Sequence, residues 1–347
     1  MAGTRANHDT QAGAQGAPIA AAVEILKAGG LVAFATETVY GLGADARQSA
    51  AVRGIFSAKG RPGTNPLIVH VADELVARRY ARHWPQEASK LAAAFWPGPL
   101  TIVVAKAPSI VDEVTAGKET VALRVPAHPI ALELLRRFGG PIAAPSANRS
   151  GRVSPTTAEH VRKELEDRVG LILDGGPCEV GIESTVLNLS GLDGNAEAHK
   201  PIILRPGGIS RAKIEALIGP VELFSGQTPD NQPASSPGLQ SVHYSPATPT
   251  YRFEYGNVSR VAAIYNSGAG GKVVVLAITN SAAFSQMQSV NEVIEMPTTA
   301  TAYATALYSA LHCADALGVA AIWVEMPPDE PDWGAVRDRL LRASKAT

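Results

Sequence analysis

The chain has 347 residues, 46% of them apolar and 18% charged; that is ample material for a core, and at roughly 100–200 residues per domain the length fits two domains, or one with an appendage. Lysine plus arginine (31) against aspartate plus glutamate (32) leaves a net charge of −1, with no run of four basic residues, so no one-signed field is available for nonspecific capture of nucleic acid. No apolar run approaches the ~20 residues that span a bilayer, and Cys178 and Cys313 form no CxxC or Cys/His cluster suited to zinc.

Residues 1–16 are polar and rich in Gly and Ala, without the apolar stretch of a secretory signal, so the expected location is cytoplasmic. The spacing of Ile19, Val23 and Leu26 predicts a helix over Ala17–Ala28, with Pro18 suited to its first turn. Gly29-Gly30 ends it, and Leu31–Phe34 reads as a buried strand. Val52, Ile55 and Phe56 mark a second helix. Strand-like runs recur at Leu67–Val71, Leu100–Ala105, Thr120–Val125, Ile142–Ala144, Leu171–Leu173, Ser184–Leu189 and Ile202–Leu204. Helical patterns occupy Glu87–Phe95, Pro129–Phe138, Thr157–Glu166 and Arg211–Ile218. Strands outnumber helices, which favours a mixed over a strictly parallel sheet.

From Phe224 to Thr250 Ser, Pro, Gly, Gln and Asn dominate and hydrophobic periodicity vanishes. Such a length is either a tether or a segment crossing a functional surface. Beyond it, Val261–Tyr265, Val273–Ile278, Val293–Met296 and Ala320–Glu325 read as strands, and Thr301–Leu317 and Trp333–Ala343 as helices. The glycine-rich Ser267–Gly271 run has no helix after it and reads as a loop, not a nucleotide turn. The expected division is 17–223, a linker at 224–250, and a small α/β domain at 251–347.

Several clusters could carry chemistry. Lys59 and Arg61 follow an amphipathic helix, and Pro62-Gly63 turns the chain there. Two cations on one turn can converge on a polyanion, Arg as a bidentate fork and Lys as a point charge; a solvated turn with incidental charges is the alternative. Asn65 adds an amide, kept extended by Pro66. Pro145-Ser146-Ala147-Asn148 follows a strand, where ligand crevices of open sheets lie, although Ser and Asn also favour turns. Ser154 or Thr156 is placed to cap the next helix. Thr36-Glu37-Thr38 follows the first strand and supplies polar groups for a small ligand. Arg124 stands inside an apolar strand, where it needs either an internal ion pair or a substrate carboxylate. Arg205 ends another strand, and His70 is a lone histidine in a packed region.

The ordered blocks TETVYGLG, KGRPxxNPL, FWPGPLT, ALRVP, APSANxSG, ESTV and RPG, from Thr36 to Gly207, resemble the YrdC-type threonylcarbamoyl-AMP synthases. Ser236-Pro237-Gly238 and His243-Tyr244-Ser245-Pro246 resemble the linker of the two-domain form, and the segment around Asp338-Arg339-Leu340 its C-terminal domain. Leu239 and Ser241 depart from the linker pattern. The resemblance implies an α/β fold: a YrdC-like mixed twisted sheet with helices, then a small Rossmann-like α/β domain. It implies a nucleotidyltransferase that joins L-threonine, bicarbonate and ATP, with Mg2+, into threonylcarbamoyl-adenylate and pyrophosphate. The adenylate passes to a separate tRNA threonylcarbamoyl transferase complex that makes N6-threonylcarbamoyladenosine (t6A37). Neither autonomous nucleic-acid binding nor a membrane is expected. By the resemblance, Lys59, Arg61, Ser146 and Asn148 form a tetrad on the phosphates. Asn65, Thr120, Ser154, Arg205 and Tyr244 complete the ATP side. Thr38, His70, Arg124, Ala144 and Ser184 hold threonine, with Arg124 on its carboxylate.

Overall fold

The computed structural model describes residues 6–192, 200–224, 243–257, 271–279, 281–287 and 290–346, with side chains from residue 16 onward. The strand expected at Val261–Tyr265, most of the glycine-rich run after it, and the linker residues Ser236, Pro237, Gly238, Leu239 and Ser241 lie outside the described residues.

Strands β1 (Val32–Phe34), β2 (Gly41–Asp45), β3 (Ile68–His70), β4 (Leu100–Ala105), β5 (Thr120–Arg124), β6 (Ile142–Ala143), β7 (Leu171–Leu173), β8 (Thr185–Asn188), β9 (Ile202–Arg205) and β10 (Glu222–Leu223) build one sheet. Its order is β10-β9-β8-β4-β5-β3-β6-β2-β1-β7. The pairs β1–β7, β3–β5, β4–β8 and β9–β10 are parallel and the others antiparallel, so the sheet is mixed as expected. Around it lie α1 (Ala6–Lys27), α2 (Ser49–Lys59), α3 (Glu74–Arg78), α4 (Gln86–Phe95), α5 (Asp112–Thr115), α6 (Pro129–Phe138), α7 (Ala158–Leu165) and α8 (Arg211–Ile218).

Helix α6 shows how local chemistry and packing agree. Pro129 opens it, where its missing N–H costs nothing, and Gly139 closes it at φ 68°. Ile130, Leu134, Leu135 and Phe138 form its buried face, packed on Ile19, Val23 and Leu26 of α1. Each such side chain stabilises the fold by roughly 1.5–3 kcal/mol.

A second sheet, β11 (Thr250–Phe253), β12 (Val273–Ala277), β13 (Val290–Glu295), β14 (Ala321–Glu325) and β15 (Lys345–Ala346), has the order β13-β12-β14-β11-β15 with every pairing parallel. With α9 (Ser281–Ser285), α10 (Ala300–Ala316) and α11 (Gly334–Ala343) it is the Rossmann-like unit anticipated. One apolar cluster joins the two units: Val39, Val153 and Ile182 pack with Tyr303, Leu307 and Tyr308 of α10. Gly181 permits this contact, since a Cβ there would lie 2.5 Å from the Thr305 Cα, and its φ of 75° suits glycine.

Three local expectations fail, and one strand was not anticipated. Helix α1 runs from Ala6, so Pro18 lies inside it and not in its first turn; the alanines around it favour helix strongly enough to carry one proline. The segment after Tyr40 is strand β2, paired antiparallel with β1, although its glycines and lack of alternation gave no strand signal. Thr250 opens β11 instead of ending a linker. Helix α7 is capped by Thr157, whose Oγ1 accepts from the His160 N–H; Ser154 and Thr156 serve other partners.

Candidate active site

The strand ends at the middle of the large sheet, with the turn after β1, open onto one cleft. Register alone places His70 opposite Arg124 and next to Ile142. The cleft is narrow, with about 50 Å³ of accessible space, and opens to solvent. Of the expected residues, Thr38, Arg61, His70, Arg124, Ala144, Ser146, Ser184, Arg205 and Tyr244 line it.

The remainder stand elsewhere. Lys59 lies behind the wall: its ammonium donates to the carbonyl of Ser146 at 2.5 Å and also to the carbonyl of Asn148. Asn148 likewise turns inward, its Nδ2 donating to Arg149 O at 2.9 Å and Arg152 O at 2.8 Å. The four tetrad residues are thus together, with Arg61 and Ser146 at the surface of the cleft and Lys59 and Asn148 bracing the loop that carries Ser146. Asn65 is buried beside Arg61, whose Nε donates to the Asn65 carbonyl at 3.2 Å and Nη2 to the Pro66 carbonyl at 3.0 Å. Ser154 donates to Glu183 Oε1 at 2.6 Å. Thr120 lines a separate small cavity with Pro66, Leu67 and Lys118. Ile68 also lines the cleft and was not anticipated; Pro145 and Glu183 line it too, and both fall in blocks singled out in the sequence, although neither was given a role of its own.

Each guanidinium is anchored by the protein. Arg124 donates through Nη2 to Glu37 at 2.7 Å and through Nε to Gly98 O at 3.2 Å. The internal ion pair and the cleft-facing role therefore coexist. Arg205 grips the Ser184 carbonyl through Nε (3.2 Å) and Nη2 (3.0 Å). This contact needs glycine in the loop after it, because a Cβ on Gly207 would lie 2.3 Å from the Ser184 carbonyl carbon. The Thr36 hydroxyl donates to Val39 O at 2.6 Å and fixes the turn that presents Thr38.

Burial dominates the electrostatics. It draws the Lys59 ammonium well below its usual range, with Arg61 adding repulsion, and Arg61 itself down to about 9. Burial also holds His70 and His243 at about 3, so both imidazoles are neutral near neutrality. Burial pushes Glu183 up, but Arg339 and Arg205 outweigh it and hold the carboxyl at about 2. Cys178 is driven up to about 12 by burial and by Glu37, so it offers no thiolate.

Unpaired buried polar atoms gather here. Both side-chain polar atoms of Asn65, Asn148 Oδ1, His70 Nδ1, His243 Nδ1 and Tyr244 Oη have no partner among the described residues. Buried polar groups are rarely left so unless a ligand or water meets them. Tyr244, at φ 64°, is held in a strained backbone conformation at the same place. The described residues contain no group of three His, Cys, Asp or Glu side chains able to hold a metal, and Glu37 and Glu183 are each bonded to an arginine. No described helix is long and apolar enough to cross a membrane.

Three guanidinium groups, two neutral histidines, hydroxyls and backbone on the strand ends of a mixed α/β sheet make a cleft whose chemistry suits an anionic small molecule. The family model described as "Telomere recombination" matches residues 24–207, and "Threonylcarbamoyl-AMP synthase, C-terminal domain" matches 209–345. The threonylcarbamoyl-AMP synthase of Bacillus subtilis is 42% identical over 94% of this chain and 92% of its own length, and that of Pyrococcus abyssi 39% over 93% of each. The structure of P. abyssi Sua5 complexed with L-threonine superposes with a TM-score of 0.83 at 38% identity, covering 94% of both chains. The chain belongs to the threonylcarbamoyl-AMP synthase family.

Proposed function

We propose that the protein is an L-threonylcarbamoyladenylate synthase, a nucleotidyltransferase that forms the adenylate and pyrophosphate from L-threonine, bicarbonate and ATP. The observation that carries this reading is the cleft itself, where three buried arginines meet a set of buried polar atoms without partners. We take 17–223 as the catalytic unit, 224–250 as the connector and 251–347 as the second unit.

In this reading threonine's amine and bicarbonate give an N-carboxy group with loss of water. Its oxygen attacks the α-phosphorus of ATP and pyrophosphate leaves. No protein nucleophile is needed, in keeping with a thiol at Cys178 that does not ionise. The work is positioning, charge neutralisation and exclusion of water. Arg61 and Ser146 face the phosphates, and Lys59 and Asn148 hold the loop under them. Arg205, Asn65, Ser154, Thr120 and Tyr244 complete the nucleotide side, Ser154 acting through Glu183. Thr38, His70, Ala144 and Ser184 surround threonine, and the Nη1 group of Arg124 pairs its carboxylate. Mg2+ enters as part of the substrate, MgATP, with phosphate and water oxygens as its ligands, and neutralises phosphate charge there. The unstable product passes to a separate tRNA-modifying transferase in the cytoplasm.

Pyrophosphate release from ATP tests this. It is expected only when L-threonine and bicarbonate are both present; release at equal rate without threonine would overturn the reading.

A further inference from the structure

The second unit reaches the cleft through one buried ion pair. Glu183 is the only carboxylate among the described residues lining the cleft. Its Oε1 accepts from Ser154 at 2.6 Å; its Oε2 accepts from Tyr308 Oη at 2.9 Å and from Arg339 Nε at 2.8 Å. Tyr308 belongs to α10 and Arg339 to α11, so two of these three donors come from the second unit. Arg339 is completely buried. Its Nη1 donates to Asp338 at 2.8 Å, its guanidinium carbon lies 5.2 Å from the Tyr244 ring centre, and its Nη2 has no partner among the described residues.

We infer that Arg339 is a positioning residue for the nucleotide cleft: by pairing with Glu183 it cancels the carboxylate that would otherwise face the triphosphate, and so couples ATP binding to the second unit. The physical basis is like-charge repulsion. Glu183 lines the same cleft as Arg61 and Arg205. With Arg339 present, Glu183 has its own counter-charge. Without it, a buried carboxylate short of its counter-charge would stand beside an incoming polyanion, and like charges in a poorly solvated cleft repel strongly. Threonine, held further along the cleft by Arg124, carries one carboxylate with its own partner and is affected far less. The same arginine supports the Tyr244 ring, so the effect falls twice on the nucleotide side.

This rests on the ATP reading above, and the test separates the two. ATP and L-threonine binding are measured by calorimetry on the full chain and on Arg339→Met, Tyr308→Phe and the double variant Arg339→Met/Glu183→Gln. Wild-type protein that binds no ATP would sink the functional reading itself. If wild type binds, Arg339→Met is expected to weaken ATP about tenfold while threonine stays within about threefold. The double variant, which removes the carboxylate as well, is expected to recover most of that loss. Arg339→Met leaves a charge buried without its partner and is expected to be less stable. Tyr308→Phe removes one donor with no change in charge and almost none in volume, and is expected to move ATP affinity about threefold in the same direction. A double variant as weak as Arg339→Met, or equal loss of both ligands, would show Arg339 to be merely structural. So would a Tyr308→Phe variant with wild-type ATP affinity.

Discussion

Replacing Arg61 by glutamine is the sharpest perturbation of the cleft. The guanidinium donates to two backbone carbonyls, Asn65 O at 3.2 Å and Pro66 O at 3.0 Å, and these hold it at the cleft wall. Its Nη1 is left for a phosphate oxygen. Burial and Arg205 lower its pKa to about 9, which still leaves it charged at neutral pH. Losing one charge-assisted hydrogen bond costs about 1.5–3 kcal/mol. At 1.4 kcal/mol per decade, that is roughly a 10- to 150-fold weaker hold on ATP. The two carbonyls lose their donors too, so a fall in stability of about 1–3 kcal/mol accompanies it. Pyrophosphate release against ATP concentration, at saturating threonine and bicarbonate, gives the KM, and thermal unfolding gives the stability. Arg61→Lys keeps the charge without the fork and is expected to fall between the two. An ATP KM within about twofold of wild type in a folded Arg61→Gln protein would refute the phosphate role.

Arg124→Ala is expected to raise the threonine KM about tenfold or more while leaving the ATP KM within about threefold; it also leaves Glu37 without its partner, and equal loss of both substrates would refute the assignment. Cys178 is buried and Cys313 exposed, and the two are not bonded to each other; a thiol reagent on the native protein should modify Cys313 alone, as read by mass spectrometry of peptides, and rapid modification of Cys178 would contradict the packing. His160 of α7 stacks on His312 of α10 with ring centres 3.9 Å apart. Burial, with repulsion from His312, lowers His160 from 6.5 to about 4. Within that window the unfolded chain binds a proton that the folded chain does not, so stability falls as pH drops from 6.5 toward 4. His160→Phe should therefore show a smaller drop in Tm between about pH 7 and about pH 5 than wild type; an unchanged difference would show that the pair does not sense acid. His70 and His243, also depressed, to about 3, keep part of the slope in that variant.

Much of this molecule was legible in its sequence because the signals are local. Leu100–Ala105 is an apolar run broken only by Thr101, and it is a central strand with both faces covered. Pro129 and Gly139 bracket a helix because each suits one end of it. The ordered blocks from Thr36 to Gly207 contain many of the residues that line the cleft, Thr38, Arg61, Arg124, Ser146, Ser184 and Arg205 among them. Lys59 and Arg61, two charges on a turn when taken alone, proved to have different places: Arg61 faces the cleft and Lys59 braces the loop behind it. That distinction depends on where the Ser146 loop lies in space, which spacing cannot convey. Strand β2 hid because its hydrogen bonds go to partners that define it, not to residues that prefer strand. The ion pair of Glu183 with Arg339 was invisible for the same reason. The two residues are 156 positions apart, and only the packing of α10 and α11 onto the first unit, with its closely fitted glycine at 181, gives the buried carboxylate a counter-charge.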